Sequence, residues 1–173
     1  VVRMPQNGIR PDGIVTLVGG LQKCPQLTHL DLQDNTFTLK GSRALANALA
    51  SWPQLEILNV SDCLLSKKGG LLVFGALVQN KQLKELLAQY NEVQADAVKV
   101  LVGAVKQLEY LEKIELNGNR FEEDHEVVEE LKEALAAWDH EDALDELDDM
   151  EEIDTPDKDE QDELVAQLNK THI

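Results

Sequence analysis

Residues 27–37 read L-T-H-L-D-L-Q-D-N-T-F, and this stretch decides the fold. Its fixed positions are Leu27, Leu30, Leu32, Asn35 and Phe37, a frame of L-x-x-L-x-L-x-x-N-x-φ in which φ is apolar. The frame recurs as Leu55, Leu58, Val60, Cys63 and Leu65, and again as Leu83, Leu86, Ala88, Asn91 and Val93. A further copy is Leu111, Ile114, Leu116, Asn119 and Phe121, and the chain opens inside an earlier one with Val2, Met4, Asn7 and Ile9. The anchors stand at 7, 35, 63, 91 and 119, so the period is 28 residues throughout. Units of about 20–29 residues with this pattern are leucine-rich repeats, each a strand and turn followed by a helical or irregular return.

The second half of each unit has its own pattern. Six residues past each anchor stand Gly13, Gly41, Gly69 and Ala97; ten past, Leu17, Leu45, Val73 and Leu101; fourteen past, Leu21, Leu49, Leu77 and Val105. Apolar residues four apart on one face predict a helix of about three turns, starting near the glycine. Pro25 and Pro53 then lead into the next strand, where the chain is extended. The fold class is therefore α/β: a ribonuclease-inhibitor-like solenoid with a concave parallel sheet and convex helices. One such unit cannot bury its apolar face alone, so neighbouring repeats must stack into a common core.

Asn7, Asn35, Cys63, Asn91 and Asn119 are expected to form an inward structural ladder, each amide satisfying backbone groups freed by the turn. The fifth copy shifts: Val128, Leu131, Leu135 and Trp138 keep helical spacing two residues late, beside a polar face of Glu129, Glu130, Lys132 and Glu133. That is what a terminal cap requires, and it places a solenoid over residues 1–138 with the cap at about 120–138. Residues 139–173 read as an acidic, mostly disordered tail, with Leu144, Leu147, Met150 and Ile153, and then Leu164, Val165 and Leu168, as weak helical segments.

Charge divides the same way. Residues 1–121 carry 13 Lys/Arg against 11 Asp/Glu, while residues 122–173 carry 3 against 22. An acidic end on a nearly neutral repeat body argues against direct nucleic-acid binding, which needs a basic face. No apolar run approaches the ~20 residues that span a bilayer. Cys24 and Cys63 sit at repeat positions expected to be buried, as small core hydrophobes rather than a disulfide pair.

Chemistry-bearing motifs are missing. The sequence holds no phosphate-binding loop, no H-E-x-x-H, no G-x-S-x-G and no cysteine pair at metal spacing, so no catalytic residue, metal or cofactor is assigned. What remains is surface. With Leu30 and Leu32 inward, strand alternation turns His29, Asp31 and Gln33 and their repeat equivalents to the concave face. From these and the following loops, the candidate partner-binding residues are Arg3, Gln6, Gln33, Asp34, Asp62, Gln89, Tyr90 and Asn117.

The strings VRMPQNGIRPDG, LDLQDNTFT, SWPQLEILNVSDCLLS, LAQYNEV, IELNGNRF and LDELDDMEE, with ELVAQLNKTHI at the end, resemble the GTPase-activating proteins of the small GTPase Ran. The likeness runs along the whole chain and is closest to the fungal form, since animal relatives continue into a further domain. It implies stimulation of GTP hydrolysis on Ran in nucleocytoplasmic transport, by a regulator rather than an enzyme, in the cytoplasm and also at the nucleus or nuclear envelope. The implied partner is Ran in its GTP form, alone or with a Ran-binding protein, on a monomer that contacts neither nucleic acid nor membrane. Most GTPase activators insert an arginine. The resemblance implies instead an asparagine on a repeat before Val1, so this segment supplies docking surface and cap, and is inactive by itself. Two other readings stand beside it: an acidic leucine-rich nuclear protein that binds histones, and a ribonuclease-inhibitor-like scaffold for another protein. The 28-residue period speaks against the first.

Overall fold

The computed structural model describes residues 1–151. Five strands and five helices alternate: β1 Val2–Arg3, α1 Pro11–Leu21, β2 His29–Asp31, α2 Thr38–Leu49, β3 Ile57–Asn59, α3 Ser66–Ala76, β4 Glu85–Leu87, α4 Ala95–Val105, β5 Lys113–Glu115 and α5 Glu126–Ala136. The strands form one parallel sheet in chain order. Leu30 pairs with Leu58, Leu58 with Leu86, and Leu86 with Ile114, so the sheet register is the sequence period. The fold is a leucine-rich-repeat solenoid.

Leu30, Leu58, Leu86 and Ile114 lie fully inside, while the residues on either side of each face the concave surface. Behind them, Leu45, Leu49, Val73, Leu77, Leu101 and Val105 close the core from the helices. In the first repeat the equivalent Leu17 and Leu21 are only half-buried, because no repeat within this chain covers their far side.

The anchor asparagines brace the stack. Asn91 donates from Nδ2 to the carbonyls of Val60 (2.8 Å) and Gln89 (3.0 Å), and its Oδ1 accepts from the amides of Cys63 (3.0 Å) and Leu65 (3.2 Å). Asn119 repeats the arrangement one step on, donating to Ala88 and Leu116 and accepting from the amides of Asn91 and Val93. Asn35 does the same with Met4, Leu32, Gln33 and Ile9. Each side chain therefore serves two repeats at once. Cys63 supplies only a weak donor, to the carbonyls of Leu32 (3.2 Å) and Ser61 (3.4 Å). Asn7 is exposed and donates only to Pro5, two residues away, so the ladder has four functioning rungs.

One further sequence expectation changes, the burial of Cys24. The helices begin near the glycines as expected, two or three residues before them, and Gly69 also marks a close approach between helices. A Cβ there would lie 2.6 Å from the Ser42 hydroxyl of α2, a distance real atoms do not adopt. Cys24 is exposed, unlike Cys63. The equivalent Trp52 and Asn80 are buried because each reaches back to the repeat before it. Trp52 Nε1 donates to the carbonyl of Leu21 (2.8 Å), and Asn80 Nδ2 donates to those of Leu49 and Trp52. Cys24 has no earlier repeat in this chain to reach.

Replacing Asn91 with Ala orphans the buried amides of Cys63 and Leu65 and the Val60 carbonyl, while the Gln89 carbonyl keeps the Asp62 amide; at about 1–3 kcal/mol for a buried group left unsatisfied it is expected to cost several kcal/mol. Asn7→Ala is expected to change stability by less than about 0.5 kcal/mol, as surface substitutions do. Urea unfolding of the two variants checks this, and equal losses would remove the ladder as the brace.

Candidate partner-binding surface

Strand alternation lays the concave face out in rows. One row is His29, Ile57, Glu85 and Lys113; the next is Asp31, Asn59, Leu87 and Glu115. Between them, Ile57 and Leu87 floor a shallow depression of about 300 Å³ rimmed by Arg3, His29, Asp31 and Glu85. Burial holds the His29 imidazole below its ordinary pKa, and the Arg3 guanidinium, 3.5 Å away, pushes it the same way. Gln33 accepts from Asn59 Nδ2 (3.3 Å), tying adjacent repeats at the surface. Ser61, expected on this face, is buried, and its hydroxyl accepts from the Gln89 amide (3.3 Å).

The loop row that follows the strands is under a common backbone constraint. Gln6, Asp34, Asp62 and Tyr90 all have φ between 52° and 54°, and Gly118 has φ 74°. The turn out of each strand demands this left-handed conformation, which Asp tolerates and a tyrosine adopts only at a cost. Two contacts hold Tyr90 in place. Its ring lies against Gly118, where an added Cβ would stand 2.2 Å from Tyr90 Cδ1. Its hydroxyl donates to Asp149 (3.0 Å), and this hydrogen bond raises the phenol above its ordinary pKa.

Asp149 belongs to a segment expected to open the acidic tail. Residues 139–151 instead lie along the last repeat. The Ile114 amide donates to Ala143, the Asp145 amide donates back to Ile114, and Leu144 bridges Ile114 in the parallel sense. Ala143 is buried, and Leu144, Leu147 and Met150 pack half-buried on the core. The Asp145 carboxylate accepts from the amides of Leu116 (2.9 Å) and Asn117 (3.1 Å) and from Gln89 Nε2 (3.2 Å). Asn117 donates to Asp148 and accepts from the Asp149 amide. Glu151 closes the strap, its amide on Asn119 and its carboxylate on Arg120, which also pairs with Glu92. The physical reason is the free edge of β5: next to it a carboxylate satisfies amides where, among the described residues, no sixth strand follows. The expected disorder beyond residue 151, with the Leu164–Leu168 segment and Ile153, lies outside the described residues.

The eight candidate residues therefore divide. Gln33, Asp34 and Asp62 stand together along the concave rim and loop row, with Gln6 at the next loop and Arg3 at the end of the strand row. Gln89, Tyr90 and Asn117 are engaged by the strap. The members missed from sequence are Asp145, Asp148 and Asp149; the apolar spacing of Leu144, Leu147 and Met150 was the available signal. Burial pushes the Cys63 thiol up to about 12, so it is not a nucleophile near neutral pH.

Comparison with known proteins follows this geometry. Residues 23–46 match the family model described as a leucine-rich repeat. Over 139 residues the chain is 42% identical to Ran GTPase-activating protein 1 of Saccharomyces cerevisiae, covering 76% of this chain and 34% of that protein. The chain thus spans about a third of the length of the curated relative it matches. Among solved structures, the actin-binding site 2 of leiomodin-1 superposes with a TM-score of 0.66 at 18% identity, covering 98% of this chain and 87% of that one. That likeness shows the fold alone.

Asp145→Ala is expected to destabilise the C-terminal repeat by about 1–3 kcal/mol and to speed hydrogen exchange at the Leu116 and Asn117 amides selectively. Glu146→Ala, at an exposed neighbour, serves as the control; matched exchange rates in the two would remove Asp145 from this role. A thiol reagent near neutral pH is expected to modify Cys24 rapidly and Cys63 only after unfolding, as mass spectrometry of the labelled protein will show.

Proposed function

We propose that this chain, which belongs to the family of Ran GTPase-activating proteins by its 42% identity over 76% of its length, is part of a GTPase activator for Ran. The 42% identity over 139 residues carries the reading. The physical reading agrees in kind: a polar, repeat-ordered concave face suits a folded protein partner, and the described side chains offer no constellation for chemistry of their own. The partner is Ran in its GTP form, and the place of action is the cytoplasm or the nuclear envelope.

The contribution of this segment is docking and capping. Arg3, Gln6, Gln33, Asp34 and Asp62 form the open part of the face, while Gln89, Tyr90 and Asn117 present to the partner together with the strap. Asp34 and Asp62 attract a basic patch, and charges at a rim act on association rate more than on final affinity. No residue here is assigned to the hydrolytic step, and Arg3 is not given the part of an inserted arginine. Its guanidinium lies beside His29 on the sheet face.

The test pairs binding with turnover. The 173-residue chain is expected to bind Ran loaded with a non-hydrolysable GTP analogue, and to leave single-turnover GTP hydrolysis at its intrinsic rate. Asp34→Lys with Asp62→Lys is expected to slow association about tenfold at low salt, with a smaller effect at 0.5 M salt. Absence of binding defeats the docking role; acceleration of hydrolysis defeats the division of labour.

A further inference from the structure

We propose a second docking site, beyond the open part of the concave face: a groove at the C-terminal end of the solenoid that takes a lysine- or arginine-rich partner segment carrying an apolar anchor. The groove runs between α5 and the strap and encloses about 610 Å³. Its floor is apolar, made by Val128 of the cap helix with Leu144 and Leu147 of the strap. In an inner repeat the next unit would cover this face. Here Leu144 and Leu147 remain half-buried, with room above them for a side chain of leucine size.

The rim decides the occupant. Glu123, Asp124, Glu141 and Glu146 line it and make no ion pair among the described residues. Lys132, the cation of the lining, is already engaged by Glu129 (2.9 Å). Elsewhere on the solenoid carboxylates meet cations from neighbouring repeats: Asp12 with Lys40, Glu56 with Lys84, and Glu92 with Arg120. Uncompensated like charges repel one another, so this rim costs free energy in the isolated chain and gains most from a cationic occupant. An apolar floor under an acidic rim is complementary to a basic segment with leucine-like anchors, the way an amphipathic helix enters a groove.

The chain's own C-terminal segment is the competing occupant, and its charge opposes it. Residues 152–173 carry seven carboxylates against two lysines. A second acidic segment in an acidic-rimmed groove would add repulsion rather than relieve it.

The probe is a dodecapeptide of lysine with leucine at every third position, titrated into the 173-residue chain at about 0.15 M salt, with a control peptide carrying serine for leucine. Binding at least tenfold tighter for the leucine peptide is expected, since burial of even one leucine exceeds that difference. Glu123→Gln with Glu146→Gln, both exposed and outside the strap's hydrogen bonds, is expected to weaken it about threefold to tenfold. A chain ending at residue 151 is expected to bind as the full chain does. Failure of the leucine peptide to bind overturns the proposal. Equal binding of the two peptides shows a diffuse acidic surface and overturns it as well, and so does indifference to the paired glutamines. A large gain on ending the chain at 151 makes the chain's own tail the occupant. None of these outcomes bears on Ran binding, which the concave-face variants report separately.

Discussion

The structure depends on one hydrogen-bonding problem, posed once per repeat and solved by reaching into the next. Each turn out of a strand leaves amides and carbonyls that cannot pair within their own unit, and the core offers no water to satisfy them. The asparagine amide answers with a donor and an acceptor on one short side chain. The Asn91 side chain makes four bonds, one to Gln89 of its own turn and three across to Val60, Cys63 and Leu65 of the preceding repeat. Because the side chain cannot reach unless the units are in register, the same bonds that satisfy the turn also fix the stacking. The parallel register of the sheet and the left-handed loop residue before each anchor are consequences of this geometry.

At the last repeat the problem recurs with no further repeat among the described residues. Inside the solenoid, the amides of Leu32 and Asp34 donate to the carbonyls of Asn59 and Ser61, and those of Ala88 and Tyr90 to the carbonyls of Glu115 and Asn117. Past β5 the Leu116 amide, the counterpart of Leu32 and Ala88, finds Asp145 Oδ1 instead; the neighbouring Asn117 amide takes Oδ2, and the Gly118 amide, the counterpart of Asp34 and Tyr90, donates to Asn117 Oδ1. A carboxylate thus stands in for a strand. It is well suited to the task, being an acceptor on both oxygens and stronger toward N–H donors than a neutral carbonyl. The cap is therefore made of two parts: α5 shields the core, and the strap satisfies the sheet edge.

This division explains what the sequence made legible. Leu27, Leu30, Leu32 and Asn35 announce strand, burial and turn because every repeat restates them, and the helix stripe of Leu45 and Leu49 follows from the same period. The features that escaped are those that occur once. Cys24 occupies a position that is buried elsewhere, but burial there is conferred by a previous repeat, which no local pattern encodes. Gly69 stands near a helix start and also makes a helix–helix contact, which is not legible because sequence shows that a side chain is missing without showing what fills its place. Asp145, Asp148 and Asp149 read as charge in an acidic tail, because composition counts their repulsion and not the amides awaiting them. On the candidate surface, alternation identified the rows correctly as positions, yet Ser61 is withdrawn into the core and Tyr90 is pinned by partners 28 and 59 residues away.

The strap also changes how the candidate face must be understood. Gln89, Tyr90 and Asn117 are not free polar groups: each is oriented by a carboxylate of the strap, and Asp145 bonds both to Gln89 and to the edge amides that keep the last repeat folded. A partner touching Tyr90 therefore meets Asp149 with it, and one displacing the strap must also uncover the β5 edge. Removing Asp145 from those amides exposes buried donors, which is far more costly than breaking the exposed Tyr90–Asp149 contact. A ligand at this end of the sheet is consequently favoured if it adds to the acidic strap and disfavoured if it replaces it. The acidic residues through 151 are, on this reasoning, part of the solenoid's surface and its stability together.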